Sequence, residues 1–244
     1  DVVTVANGNN IIVTGQGNDG ISTGTGNDII ASDNVQLDFN NSGVLIRALS
    51  TQTDAGGIDT VIATGGNNII IAGSASDEVT AGATTGIGND IIAGDNVDLR
   101  FTGVGVLTSA MSIAPDQGDR DVIAASDGNN IIIVGLGNDE IETGLGADII
   151  AADNAEFNFT DAGVLVEAVS TSPSQAGDDI VVAGDGDNII IAGSGDDKVT
   201  TGNDNDIIFG DNASLTFNTQ GQTVLLLSTQ LDFGGADSIT TGDG

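Results

Sequence analysis

Along most of this chain an Asp or Asn returns every nine positions, usually with a glycine two places before it and an apolar residue two places after it. In Gly135–Asn154, GLGNDEIETGLGADIIAADN, the marks are Asp139 and Asp148, and stepping back by nine gives Asn130 and then Asp121. A short fixed period constrains the fold more than any other feature, because each copy must stack on its neighbours to bury its apolar face. Glycines permit the positive φ of a tight turn and leave carbonyl oxygens in the open, and the Asp adds charge beside them. The residue two beyond each mark, such as Ile12, Ile21 or Ile30, then points inward on a short strand whose neighbours point out.

A longer period contains the short one. Asp1 recurs as Asp59, Asp121, Asp179 and Asp237, in steps of 58, 62, 58 and 58 residues. The chain therefore divides into repeats 1–58, 59–120, 121–178 and 179–236, with a fifth beginning at 237–244. The extra four residues of the second repeat fall around Ala83–Ile87. The marks of the first repeat are Asp1, Asn10, Asp19 and Asp28, and those of the second Asp59, Asn68, Asp77 and Asp90. Asp121, Asn130, Asp139 and Asp148 follow, then Asp179, Asn188, Asp197 and Asp206, with Asp237 opening the fifth. Since the chain begins and ends inside this pattern, it reads as a cut from a longer array.

Units such as TGQGNDGIS at Thr14–Ser22 and AGSGDDKVT at Ala192–Thr200 resemble the repeats-in-toxin (RTX) family, whose nonapeptide is G-G-x-G-x-D-x-U-x. Here the first Gly is often Ala or Thr. The resemblance implies a parallel β-roll in which two nonapeptides make one coil and Ca²⁺ sits between turns stacked on one edge. Asp1 then lies near Asp19 on one edge and Asn10 near Asp28 on the other. An Asn offers a carbonyl without charge, so Asn10, Asn68, Asn130 and Asn188 should be weaker ligands than the aspartates, giving two unequal rows of ions. Asn9-Asn10, Asn67-Asn68 and Asn129-Asn130 also suit an asparagine ladder along the axis.

Because turns alternate edges, strands after the second and fourth marks share one sheet, and those after the first and third share the other. The first group is apolar on both faces (Ile69 and Ile71, Ile131 and Ile133 flank the inward residue), whereas after third marks the outward residues are polar, as in Glu140 and Glu142. A sheet with two apolar faces must be covered. The cover is expected from the segments that interrupt the nonapeptides, Asp33–Asp54, Asp95–Asp116, Asp153–Gln175 and Asp211–Asp232. Each alternates apolar and polar residues up to Phe39, Phe101, Phe159 or Phe217, turns at a Gly, and runs back, which is a β-hairpin. In the returning strand both faces are partly apolar, so its inward face stays open. Two coils advance about 9.6 Å, as do the two strands of one hairpin, so stacked hairpins match the roll and form a third sheet. The fold expected is all-β, a parallel β-roll with an additional sheet of stacked hairpins.

Composition narrows the chemistry. The chain has 36 acidic and four basic residues, a net charge of −32, and neither His nor Cys. Zinc, copper and haem lack their usual ligands, disulfides are excluded, and oxygen donors favour a hard cation, calcium first. Such a charge argues against nucleic acid or an anionic membrane as partner, and no stretch is long and apolar enough for a membrane span. Without His or Cys the familiar triads are absent, and carboxylates repeated at every turn describe a lattice instead of one catalytic site, so no enzyme is expected. Asp33, Asp95, Asp153 and Asp211 either shape the start of each hairpin or add ligands, with the turn role preferred. Arg47, Arg100 and Lys198 are read as solvated. The functional expectation is a calcium-stabilised structural segment of an extracellular bacterial fibre or adhesin, self-associating end to end or laterally and folding on calcium after export. A spacer or secretion module of an RTX toxin or enzyme, and a ligand-binding solenoid, are the alternatives.

Overall fold

A computed structural model describes residues 1–82, 87–175 and 177–244. The first repeat contributes six strands: β1 (Val2–Thr4), β2 (Ile11–Val13), β3 (Gly20–Thr25), β4 (Ile29–Ala31), β5 (Val35–Phe39) and β6 (Leu45–Ser50). Later repeats lay down the same series. Strands of the β1 and β3 type alternate in a nine-stranded sheet, those of the β2 and β4 type in an eight-stranded sheet, and the hairpins form a third sheet of eight strands. Pairing is parallel in the first two and antiparallel in the third. The expected division of marks between sheets is therefore the observed one.

Register explains why the period is strict. Ile12, Ile30, Ile70, Ile92, Ile132, Ile150, Ile190 and Ile208 pair in one column down the middle sheet. Facing them across the roll, Ile21, Val61, Val79, Ile123, Ile141, Val181 and Val199 form a second column, and the two fill the first core. A one-residue slip would turn a whole strand's apolar set outward. Each fully buried Ile or Val contributes about 1.5–3 kcal/mol from surface removed from water. The longer second repeat keeps this register, since Ile69–Ile71 still pairs with Ile91–Ala93. Of the insertion expected around Ala83–Ile87, residues 83–86 lie outside the described residues, and Ile87 is exposed.

A second core lies between the middle sheet and the hairpins. Ile71, Ala93, Ile133, Ala151 and Ile191 meet Leu99, Phe101, Phe157, Phe159, Leu215 and Phe217 there. The returning hairpin strand carries a register shift opposite Phe39, Phe101, Phe159 and Phe217. Leu45, Ala48 and Ser50 accordingly face inward, with two residues between the first pair and one between the second. That bulge settles the face which alternation leaves open.

Two of the arginines depart from the solvated reading. Arg47 binds buried Asp98 through two nitrogens, at 2.8 and 2.9 Å, and Arg100 reaches the same carboxylate at 2.8 Å. The cause is hairpin pairing, which sets Arg47 opposite Arg100 and leaves Asp98 beside both. This bidentate contact, with its second guanidinium, holds the Asp98 carboxyl below the usual range despite its burial.

Candidate metal centre

Every mark residue falls on one of two ladders that run along the roll. On one edge stand Asp1, Asp19, Asp59, Asp77, Asp121, Asp139, Asp179, Asp197 and Asp237. Each backbone N–H donates to Oδ1 of the next: Asp59 to Asp77 at 2.8 Å, Asp77 to Asp121 at 2.7 Å, Asp121 to Asp139 at 2.7 Å. The remaining steps from Asp19 to Asp237 repeat this bond. Asp1 touches Asp19 through its terminal amine and is exposed. On the other edge Asn10, Asp28, Asn68, Asp90, Asn130, Asp148, Asn188 and Asp206 are linked in the same way. The expected neighbours are thus confirmed, while Asp206 and Asp237 sit half-buried near the end of the array.

These bonds use one carboxylate oxygen and strand the other. Oδ2 of Asp19, Asp28, Asp59, Asp77, Asp90, Asp121, Asp139, Asp148, Asp179 and Asp197 is buried without a hydrogen-bond partner. A buried ionised oxygen in that state costs several kcal/mol unless a counter-charge or proton meets it. Along the Asp edge the effect accumulates. Burial first, then the charges of Asp95, Asp139 and Asp77, push Asp121 up to about 10. Asp179 is raised to about 9 by burial and by Asp139 and Asp153, and Asp77 to about 8 by burial, with its Asp59 and Asp33 neighbours adding to the rise. On the other edge Asp90 is also raised by burial, but the backbone and side chain of Asn68 ease it and no carboxylate adds to it.

The asparagines show what fits the gap. Asn130 Nδ2 donates to the carbonyls of Gly128 at 3.2 Å and Ser126 at 3.1 Å and to Asp148 Oδ1 at 3.0 Å. Asn188 makes the same three contacts to Gly186, Gly184 and Asp206. The side chain's orientation follows from its Oδ1, which accepts a backbone N–H from the preceding coil. The positive end of a dipole therefore sits among two carbonyls and a carboxylate at Asn10, Asn130 and Asn188, and between one carbonyl and a carboxylate at Asn68. Where the mark is Asp, the chemical counterpart of that nitrogen is the stranded Oδ2, and an oxygen set without a donor suits a divalent cation. Among the described residues no three acidic side chains converge on one point.

The asparagine row is consequently more than a weaker copy of the aspartate row. Its Asn intervals are occupied by their own amides, whereas Asp28, Asp90 and Asp148 each keep a buried, unpartnered Oδ2. Asn130→Asp should therefore raise the calcium bound per chain by one, and the variant should be less stable than the parent in chelator. Equilibrium dialysis with chelator denaturation checks this, and an unchanged calcium count contradicts it. A separate ladder joins the residues just before the marks: Asn9, Asn27, Asn67, Asn89 and Asn129 each accept an N–H from the next coil. It includes Asn27 and Asn89, which the paired-Asn pattern alone did not single out.

Comparison with protein families agrees with this geometry. A model of the RTX calcium-binding nonapeptide repeat matches in four copies, over residues 1–34, 54–85, 117–150 and 175–212, more than half of the chain. No curated protein matches it. The stretches left between the copies are those that hold the hairpins.

Proposed function

The chain belongs to the RTX calcium-binding nonapeptide repeat family, and from that premise we propose that it is a structural segment of an extracellular fibre or large adhesin, hardened by calcium after export. Calcium supplies the two positive charges that the stacked carboxylates lack. The Asp19-to-Asp197 ladder would hold it on one edge, and Asp28, Asp90 and Asp148 on the other. The protein's own part is to bring the carboxylates within one coil of each other, to bury them, and to keep cationic side chains away. Binding energy then becomes folding energy: at low calcium the acids repel and the chain stays extended, and at millimolar calcium the turns close. This reading includes no catalytic role.

The observation that carries it is the continuity of the stack. Each hairpin pairs with the hairpin of the next repeat, Leu99 with Ala48, Ala110 with Phe157 and Ala168 with Leu215, so one eight-stranded sheet runs along the roll beside the two parallel sheets. Repeats that each bind only their neighbours build an extended rod of the kind a fibre or stalk needs. Immunogold electron microscopy of the source cells tests the role. Label along filaments outside the cell, dispersed by chelator, is the expected result, and label confined to the cytoplasm would overturn it.

A further inference from the structure

The hairpins enter the roll at one kind of place. Each replaces part of a turn on the Asp edge, leaving at Asp33, Asp95, Asp153 or Asp211 and returning just before Asp59, Asp121, Asp179 or Asp237. Asp33 stands eighteen residues after Gly15, at the position where an uninterrupted turn carries glycine, so the nonapeptide pattern does not account for its carboxylate. One oxygen of each root aspartate has a clear task. Asp33 accepts the N–H of Ser74 at 2.8 Å, Asp95 that of Leu136 at 2.6 Å, and Asp153 that of Ser194 at 2.6 Å.

The other oxygen has none. Asp33, Asp95 and Asp153 are 6%, 5% and 4% exposed, and their Oδ1 atoms are buried without a partner. The ladder aspartates that close the same turns, Asp59, Asp121 and Asp179, are each 1% exposed, with Oδ2 stranded in the same way. The two carboxylates of a turn lie across from each other. A Cβ built on Gly94, next to Asp95, would stand 2.3 Å from Asp121 Oδ2, and one on Gly118, three residues before Asp121, would stand 1.9 Å from Asp95 Oδ2. Among the described residues no ion pair joins a basic side chain to them: Arg47 and Arg100 hold Asp98, and Arg120 pairs with Glu140.

We propose that each such pair, Asp33 with Asp59, Asp95 with Asp121 and Asp153 with Asp179, holds a divalent cation of its own at the hairpin root, the ladder carboxylate bridging it to the ion of its edge, and so pins the third sheet to the roll. Buried carboxylate oxygens suit a hard cation such as calcium, whose remaining oxygen ligands the backbone carbonyls of the turn would have to supply. The inference rests on the calcium reading of the family repeats and adds a class of site to it. It reverses the preference for a purely turn-forming role, since turn formation uses only one of the two oxygens.

Replacing Asp with Asn separates the two roles, because the amide keeps an oxygen to accept the Leu136 or Ser194 N–H but gives up the charge. In equilibrium dialysis at saturating calcium, Asp95→Asn should bind one ion fewer than the parent, and Asp33→Asn/Asp95→Asn/Asp153→Asn three fewer. Circular dichroism confirms that each is folded. If the triple variant does not fold, Asp33→Asn and Asp95→Asn alone give the same reading one ion at a time. An unchanged count, whatever happens to stability, overturns the root site and leaves the ladder reading intact. A parent chain that binds no calcium overturns both.

Discussion

In chelator at neutral pH the chain should lose most of its far-UV β signal and recover it when millimolar calcium is restored. Among the described residues ten ladder oxygens and three hairpin-root oxygens are buried without partners. At a cost of several kcal/mol for each uncompensated charge, they outweigh the about 5–15 kcal/mol by which a folded domain is ordinarily stable. Acid should partly replace the metal. The folded carboxyls sit far above their ordinary range, Asp33 at about 6, Asp59 at about 7, Asp95 at about 9, chiefly through burial. Between about pH 3.9, where free Asp titrates, and those raised values, the folded state binds more protons than the unfolded one, so metal-free stability falls as pH rises. Circular dichroism in EDTA should show β structure strengthening from pH 8 down to pH 5. A β signal that survives EDTA at pH 8 would contradict the account, as would one that weakens on acidification.

Gly128→Val should break the stack even in saturating calcium. At φ +135° a Cβ on Gly128 would stand 1.9 Å from the Gly88 carbonyl oxygen, so the backbones of two coils must part. A Cβ on Gly221, in a hairpin turn at φ +77°, would meet only Val164 Cγ1 at 3.5 Å, and Gly221→Val isolates the cost of a left-handed backbone, about 1–3 kcal/mol. Gly128→Val should add to that at least the upper end of the about 1–3 kcal/mol typical of overpacking. Thermal melts of the two variants in calcium measure the difference, and equal melting temperatures would mean that coil contact does not govern stability.

The nine-residue phase made most of this molecule legible. It identified both ladders and the two cores, and the apolar outer face of strands such as Ile69–Ile71 was enough to require a covering sheet. What stayed hidden depends on contacts between distant segments. The inward face of Leu45–Ser50 is decided by a bulge, and nothing in its own alternation marks where the register shifts. Asp98 gains its two arginines only because one hairpin lies beside the next. The partnership of Asp95 with Asp121 spans an entire hairpin, so local reading saw a turn residue and missed the stranded oxygen. The self-closing asparagine amides were likewise out of reach, because an Asn at a ligand position looks like a poorer ligand until its nitrogen is seen to fill the gap.

The strands lie across the long axis, which leaves the ladder bonds, and with them any bridging ions, aligned along it. Tension applied at the ends would load those links one coil after another, and each hairpin, tied to its neighbours by its own sheet, would release together with the two coils beneath it. Such a cable would lengthen under force in equal increments, and the calcium around it would set how hard it must be pulled.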